Sequence, residues 1–435
     1  MDVISAISTA SGTGGVAIIR LSGEGALSLA SRMFAPDGKT SVADFSPYRM
    51  YTGKIYGEGF TDYGMCVYFR APKSFTGEDV VELHCHGGVA IARGILAKTL
   101  SLGARAAEKG EFTKRAFLNG KLSLSSAEGM IDMINAESLA SLRAGEMLYN
   151  EKLSAEIKSL QDALKDVLAA VSVDIDYPEE DVGGFNAAVN AAAIAEIADK
   201  IERLASTYGA GKRVKDGVTV AICGRPNVGK SSLLNALLGF EKAIVSDEEG
   251  TTRDAVEGEL LIDGVKFSFF DTAGIRENSG AVESMGIERA KNILRSADIV
   301  LSVDDGRGEV DLSDANGEIL RVFNKCDLKR SAKRFDAQVS AATGEGLEGL
   351  KNLIAGKAIG ETSLDKVFII ERRHYGALLR AAQSLRSAAE NAGSITQDLI
   401  AVDLKDAWDA LGEITGETAS EQIINTVFEK FCVGK

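Results

Sequence analysis

Long apolar runs are missing from this 435-residue sequence. No stretch approaches the roughly 20 residues of a membrane span. The N-terminus lacks the basic stretch and apolar core of a secretory signal. A cytoplasmic chain with no membrane partner is therefore expected. Cysteine is scarce, with five scattered residues, which excludes a disulfide framework and suits a reducing compartment. Proline is as scarce, five against 46 glycines, which favours helices and turns over extended linkers. Positive charge is short: 49 Lys and Arg face 63 Asp and Glu, a net charge of −14. Nonspecific nucleic-acid binding favours the opposite sign. An RNA partner must then be met by a local basic patch or shared with a second protein.

What is present is an ordinary globular composition, 45% hydrophobic and 26% charged, at a length that suggests roughly two to four domains. One stretch organises it. Val218-Thr-Val-Ala-Ile-Cys-Gly-Arg-Pro-Asn-Val-Gly-Lys-Ser-Ser232 runs from an apolar strand through a glycine turn into a helix. Gly224, Gly229, Lys230 and Ser231 fit the phosphate-loop pattern G-x-x-x-x-G-K-S/T. Glycines let the backbone approach phosphates, and successive N–H groups at a helix N-terminus cradle an anion. Lys230 reaches the outer phosphates in such a loop, and Ser231 holds Mg²⁺.

The motifs that follow select the nucleotide. Residues 260–267 read as a hairpin turning at Asp263-Gly264, and its second strand leads into Asp271-Thr-Ala-Gly274. A carboxylate at a strand end can hold Mg²⁺ through water, and the glycine N–H can meet a γ-phosphate. Gly250-Thr-Thr-Arg-Asp254 supplies threonine hydroxyls that complete Mg²⁺ coordination only while the γ-phosphate is present, the order–disorder switch of GTPases. Asn324-Lys-Cys-Asp327 follows another short apolar strand. Asp327 can accept from guanine N1–H and the 2-amino group, a donor pair that adenine lacks. Asn324 can contact the other edge, and Lys325 can lay its stem on the base or ribose. Ser340-Ala-Ala342 suits a loop capping guanine O6. Together these motifs define a GTPase. The residue after Gly274 is Ile275, where Ras-type enzymes carry a water-orienting glutamine. Another group must replace it, and Glu277, Glu283 and Glu288 are candidates. The missing positive charge can come from a basic residue, a partner or a cation. Between the strand at 298–303 and Asn324, an acidic, glycine-containing stretch is just long enough for a parallel crossover with a short helix.

On either side of this region the reading is coarser. Strands are expected at 16–21, 48–55, 64–69 and 79–84, and a helix over 89–102, giving a compact α+β domain. Glu82, His84 and His86 share a strand face. With three histidines in the chain and no second ligand pair at zinc spacing, a polar face lining a ligand pocket is expected rather than a metal site. Residues 111–121 read as an amphipathic turn into a helix. Helical periodicity runs through 125–173 and 191–208, with a break at Tyr177-Pro178. The basic, glycine-containing stretch 209–217 looks like the entry to the nucleotide domain. Helical spacing returns at 371–389, 395–411 and 419–431. One helical domain, split by the inserted nucleotide domain, is the simplest arrangement.

With these residues in hand, the chain resembles the MnmE (TrmE) family of bacterial tRNA-modification GTPases over essentially its whole length. The most specific marks are Gly224-Arg-Pro-Asn-Val-Gly-Lys-Ser-Ser232, Gly250-Thr-Thr-Arg-Asp254, Glu111-Phe-Thr-Lys-Arg-Ala-Phe-Leu-Asn-Gly-Lys121 and Cys432-Val-Gly-Lys435. The resemblance implies a multidomain α/β and α fold. An α+β N-terminal folate-binding and dimerisation domain spans 1–120. A discontinuous helical domain spans 121–212 and 359–435, and an inserted P-loop α/β G domain spans 213–358. It implies a homodimer that works with the flavoprotein MnmG (GidA), which carries FAD. Together they would modify C5 of the tRNA wobble uridine with a tetrahydrofolate one-carbon unit, and GTP hydrolysis would drive conformational change.

The resemblance also carries residue roles. The nucleotide would lie against Asn227, Val228, Gly229, Lys230, Ser231 and Ser232, then Ser246, Asp247, Glu248, Glu249, Gly250, Thr251 and Thr252. Asp271, Thr272, Ala273 and Gly274 follow, and Asn324, Lys325, Asp327, Ser340 and Ala341 would hold the base. Ser231 and Thr252 match Mg²⁺ ligands. Asn227, Ser246, Glu248 and Thr251 match the K⁺ site, where the cation replaces an arginine finger. Glu283 matches the glutamate that positions water. Arg20, Glu82, Lys121 and Lys435 match positions lining the 5-formyltetrahydrofolate pocket. Three features depart from the family pattern: the acidic loop 246–250, Cys85 in place of a glycine, and the short acidic crossover before Asn324. Cys432 is read as inert or packed rather than catalytic.

Overall fold

Alternation between buried and exposed side chains builds the first sheet. In the computed structural model, which describes residues 2–176, 187–239, 258–271, 281–308, 310–360 and 366–435, with backbone only at 187, 188, 281–287 and 289, the N-terminal strands are β1 (Ile4–Ile7), β2 (Val16–Ser22), β3 (Phe34–Pro36), β4 (Met50–Tyr56), β5 (Thr61–Phe69), β6 (Val80–His86) and β7 (Arg105–Ala106). They form one sheet in the order β3-β4-β5-β6-β2-β1-β7. Every pairing is antiparallel except β1 with β7. Helices α1 (Ala26–Ala30), α2 (Val89–Ser101) and α3 (Glu111–Leu118) accompany it. Ile19, Leu21, Ile55, Val81 and Leu83 pack with Ala92 and Ile95 of α2 in its core, where each buried aliphatic side chain contributes about 1.5–3 kcal/mol.

The next helices are α4 (Leu124–Asn135), α5 (Leu139–Tyr149), α6 (Lys152–Asp176), α7 (Ala187–Ser206) and α8 (Tyr208–Asp216). The run expected as continuous over 125–173 is therefore three helices. Neither break needs proline or glycine. Ser138 and Ser141 exchange main-chain N–H to Oγ bonds of 3.1 Å and restart the chain at α5, and Glu151 adopts a left-handed φ of 59° before α6. The stretch read as a domain entry at 209–217 is helical to Asp216.

The second sheet contains β8 (Val218–Gly224), β9 (Gly258–Ile262), β10 (Val265–Asp271), β11 (Ile299–Asp304), β12 (Glu318–Phe323) and β13 (Ala337–Gln338). Their order is β13-β12-β11-β8-β10-β9. It is parallel except for the β9–β10 hairpin, whose turn residues Asp263 and Gly264 both have positive φ, 52° and 77°, as a type I′ turn requires. Helices α9 (Lys230–Gly239), α10 (Ala281–Ser296) and α11 (Leu347–Ile359) belong to this part of the chain, and α12 (Arg372–Asn391), α13 (Gln397–Thr415) and α14 (Glu421–Phe428) complete it. The expected short helix between β11 and β12 is not there: the described residues of 305–317 contain no helix. Val310, Leu312 and Ala315 instead lay an irregular strap over Ala221, Cys223, Ala297 and Val300, so the apolar face is covered without helical hydrogen bonding.

The chain folds as two compact units. One holds residues 1–131, 149–157 and 412–435, and the other 132–148 and 158–411. In the first, Gly434 packs against the Ile7 carbonyl and Val433 bridges to Lys109. In the second, α7 and α12 pair closely, with Arg386 bonded to Glu202 at 2.8 Å and also to Asp199. Among the described residues no helix is long and apolar enough to cross a membrane.

Candidate functional site

The second unit brings the phosphate loop and the base motif together through one buried side chain. β8 delivers the loop and α9 begins at Lys230. Gly229 has φ 94°, and a Cβ there would lie 2.5 Å from the Asn324 amide nitrogen, so only glycine fits. Asn324 follows β12 and is 1% exposed. Its Nδ2 donates to the Val228 carbonyl at 2.9 Å, and its Oδ1 accepts from the Ala341 N–H at 3.2 Å. One amide thus joins the phosphate loop to the loop at Ala341. Ser340 is buried and its Oγ accepts from the Thr343 N–H, which shapes that loop. Asp327 is exposed beside it, available to a ligand. Lys325 has φ 64° and donates to the Asn227 carbonyl at 2.8 Å.

Lys230 is buried, and its ammonium donates to the Gly224 and Arg225 carbonyls at 3.1 Å each. Ser231 Oγ donates to Asp271 Oδ2 at 2.8 Å. Asp271, at the end of β10, is 3% exposed. A hydroxyl and a buried carboxylate brought together in this way are the hard oxygen donors that Mg²⁺ takes next to phosphate. Ser231 and Ser232 are both exposed at the start of α9. Ser246, Asp247, Glu248, Glu249, Gly250, Thr251, Thr252, Thr272, Ala273, Gly274 and Glu277 lie outside the described residues. Glu283 falls on α10, of which only the backbone is described there, and Glu288 is exposed on the same helix.

The first unit carries a separate polar cluster. Arg20 on β2 stands opposite Glu82 on β6, and its Nε donates to Glu82 Oε1 at 2.8 Å. His84 Nε2 lies 3.2 Å from the other Glu82 oxygen. Burial raises the Glu82 pKa, but His84 and Arg20 outweigh it and hold the carboxyl below its usual range. Arg20 also lies over the Phe112 ring at 5.7 Å and reaches the Gly434 carbonyl at 3.5 Å. The chain terminus at Lys435 therefore adjoins the pair. Lys121 bonds elsewhere, to the Pro72 carbonyl at 3.1 Å. His86 is exposed and pairs with Asp62 at 2.7 Å. Among the described residues no group of His, Cys, Asp and Glu is arranged to hold a metal ion. Cys85 is buried, its thiol against the Ala17 carbonyl, and burial pushes its pKa up to about 11.

Sequence reasoning missed three charged clusters here. Arg115 is ringed by Asp2, Glu78 and Glu111. Lys215 bonds Asp132 at 2.7 Å and also Glu371. Asp305 binds both Arg307 and Lys325. Glu111 lies one helical turn before Arg115 and Asp305 two residues before Arg307, but the remaining partners, Asp2, Glu78, Asp132, Glu371 and Lys325, lie far apart in sequence, so no spacing announces the clusters.

A sheet parallel but for one hairpin, with a phosphate loop at the end of β8, Asp271 at the end of β10 and Asn324 tying that loop to the one at Ala341, defines a P-loop GTPase. Residues 124–432 match the family model described as MnmE helical domain, and residues 3–121 match that described as GTP-binding protein TrmE N-terminus. The protein named tRNA modification GTPase MnmE from Carboxydothermus hydrogenoformans is 40% identical over 460 residues, covering 100% of this chain and 99% of the relative. The protein of the same name from Syntrophotalea carbinolica is 40% identical over 455 residues at the same coverages. The chain belongs to the MnmE family. Among solved structures, Aquifex aeolicus Era shares 28% identity, covering 38% of this chain and 66% of that one, at a TM-score of 0.26. The G domain of the T. maritima FeoB iron transporter shares 27%, covering 32% and 98%, at a TM-score of 0.25.

Proposed function

We propose that this chain is the GTPase of a tRNA-modifying machine. It would act with an MnmG (GidA) flavoprotein on C5 of the wobble uridine, yielding carboxymethylaminomethyl- or aminomethyl-uridine from a tetrahydrofolate one-carbon unit. The observation that supports it most is the Asn324 bridge, which couples guanine recognition to phosphate binding in a chain akin to MnmE proteins over its full length. Lys230 neutralises the outer phosphates, Ser231 and Thr252 hold Mg²⁺ with Asp271 behind, and Asp327 reads guanine. Ile275 cannot orient water, so Glu283 takes that role. Asn227, with Ser246, Glu248 and Thr251, holds K⁺. When bound, the two cations would supply positive charge against the negative charge spread over the transferred phosphoryl group. In the first unit, Arg20, Lys121 and Lys435 suit folate carboxylates and Glu82 suits the donor-rich pterin edge. The domain division at 120/121, 212/213 and 358/359, the homodimer and a cytoplasmic location belong to the same proposal.

Nucleoside analysis of tRNA from a deletion strain, with and without this gene, tests it. Loss of the modified wobble uridine and its return on complementation are expected, and unchanged nucleosides would sink the idea. GTP turnover is expected to be faster in K⁺ than in Na⁺, with Asn227→Ala blunting the difference. Equal rates in both salts would remove the cation from the mechanism.

A further inference from the structure

The Asn227 carbonyl is held from behind by two cations. Lys325 Nζ donates to it at 2.8 Å and Arg307 Nη2 at 3.0 Å. Asp305 binds both donors, at 2.8 Å to Lys325 and 2.6 Å to Arg307. Its side chain is 7% exposed, and the Arg307 and Lys325 bonds keep its carboxyl ionised, with a pKa of about 2. Arg307 is held in place by its own loop. Asp304 Oδ1 accepts from the N–H groups of Gly306 and Gly308 at 2.9 and 3.1 Å, and both glycines have positive φ. This loop opens the irregular strap that replaces the expected crossover helix.

A trans peptide is planar, so its C=O and N–H point in opposite directions. Anchoring the Asn227 carbonyl from outside therefore turns the Val228 N–H inward. The Asn324 bond to the Val228 carbonyl does the same for the Gly229 N–H. Two successive N–H groups of the anion cradle are aimed by contacts on the far side of the loop. Asn227 pays a left-handed φ of 64° for this geometry, a conformation that asparagine tolerates better than most residues.

We propose that Arg307 is a positioning residue for the phosphate loop, locking the Asn227 peptide so that the Val228 N–H faces the nucleotide, with Asp305 splinting Arg307 to Lys325 of the base motif. Recognition of the base and the geometry of the phosphate cradle thereby share one carboxylate. The inference rests on reading residues 224–231 as the nucleotide's phosphate loop.

Displacement of a fluorescent GDP analogue from the full-length protein tests it, in K⁺ and in Na⁺ buffers. Arg307→Gln is expected to speed release by about 3–10-fold, the loss of one charge-assisted bond at a half-exposed site. The association rate and Tm stay unchanged, and Arg307→Lys restores most of the retention. Asp305→Asn, which frees both cations, speeds release at least as much. An unchanged release rate in Arg307→Gln overturns the proposal. So does a fall in Tm that Arg307→Lys fails to rescue, which would make Arg307 a stability residue. A wild-type protein that does not retain the GDP analogue overturns the phosphate-loop reading itself.

Discussion

At the scale of single residues, Asn324 does the most for its size. It is buried and spends both ends of its amide on main-chain groups of two different loops. Asn324→Ala removes both bonds and orphans the buried Val228 carbonyl and the half-buried Ala341 N–H, so GTP affinity is expected to fall by roughly 10–100-fold at about 1 kcal/mol per bond. Calorimetric titration checks it, and an unchanged Kd would show that the loops are held otherwise. Glu283→Ala carries the opposite signature: slower hydrolysis in single-turnover assays with nearly unchanged GTP affinity. Such residues are legible in a sequence because ligand chemistry demands a particular side chain at a particular spacing. Arg307 is not, because its partner is a main-chain carbonyl, and a carbonyl leaves no mark on the residue that bears it. His84 was read as part of a polar face, and its pairing with Glu82 follows from the period of two along β6.

At the scale of elements, the parallel sheet and its phosphate loop were readable, since apolar strand, glycine turn and helix follow one another without interruption. The hairpin was readable for the same reason. Gly264 sits at φ 77° with its nearest potential Cβ contact 3.9 Å away, at the Ala140 nitrogen. Gly264→Ala meets no clash, so its cost is conformational alone, about 1–2 kcal/mol, to be read from urea melts. A neutral result would show that the turn relaxes. Helix ends inside 125–173 were hidden, because serine caps and one left-handed glutamate break the run without a proline. The strap at 305–317 was hidden too: its apolar residues satisfy the sheet face, and periodicity cannot distinguish a short helix from an extended cover. Arg115 on α3 belongs to this scale, since it ties that helix to the chain start and to Glu78. Its side chain is 6% exposed. Arg115→Met leaves Asp2 and Glu111 with Arg105 and Glu78 with the Ser22 hydroxyl, so it is expected to cost about 1–3 kcal/mol in unfolding free energy. A loss below that range would mean that water reaches the carboxylates.

At the scale of the whole molecule, charge sets the pH response. Asp132 is 9% exposed beside Lys215. Burial pushes its pKa up to about 7, with Lys215 opposing and Glu371 adding to the shift. The folded state then holds a proton that the unfolded chain has released above its ordinary value of 3.8. Bound protons exceed those of the unfolded state between these two values, so stability falls as pH rises through that window and levels off above about 7. The slope is at most about 1.4 kcal/mol per pH unit. Urea midpoints of the parent are expected to fall from pH 5.5 to pH 8, and Asp132→Asn to flatten that trend. An Asp132→Asn protein as pH-sensitive as the parent would show that the trend does not come from Asp132. The acidic balance hid this centre from composition, because its lone lysine is outnumbered locally just as lysine is globally.

The contact between Arg20 and the Gly434 carbonyl joins residues 414 positions apart. Translation separates them in time. At roughly 5–20 residues per second, the cluster that Arg20 and Glu82 begin waits about 20–80 s for its last piece. During that interval the sheet of the first unit can form, but α3 has no α14 to meet, and Phe117 lacks the Phe428 ring that packs on it. This cluster is therefore assembled on a schedule set by the ribosome, and a message cut short yields the sheet without the Gly434 carbonyl against Arg20.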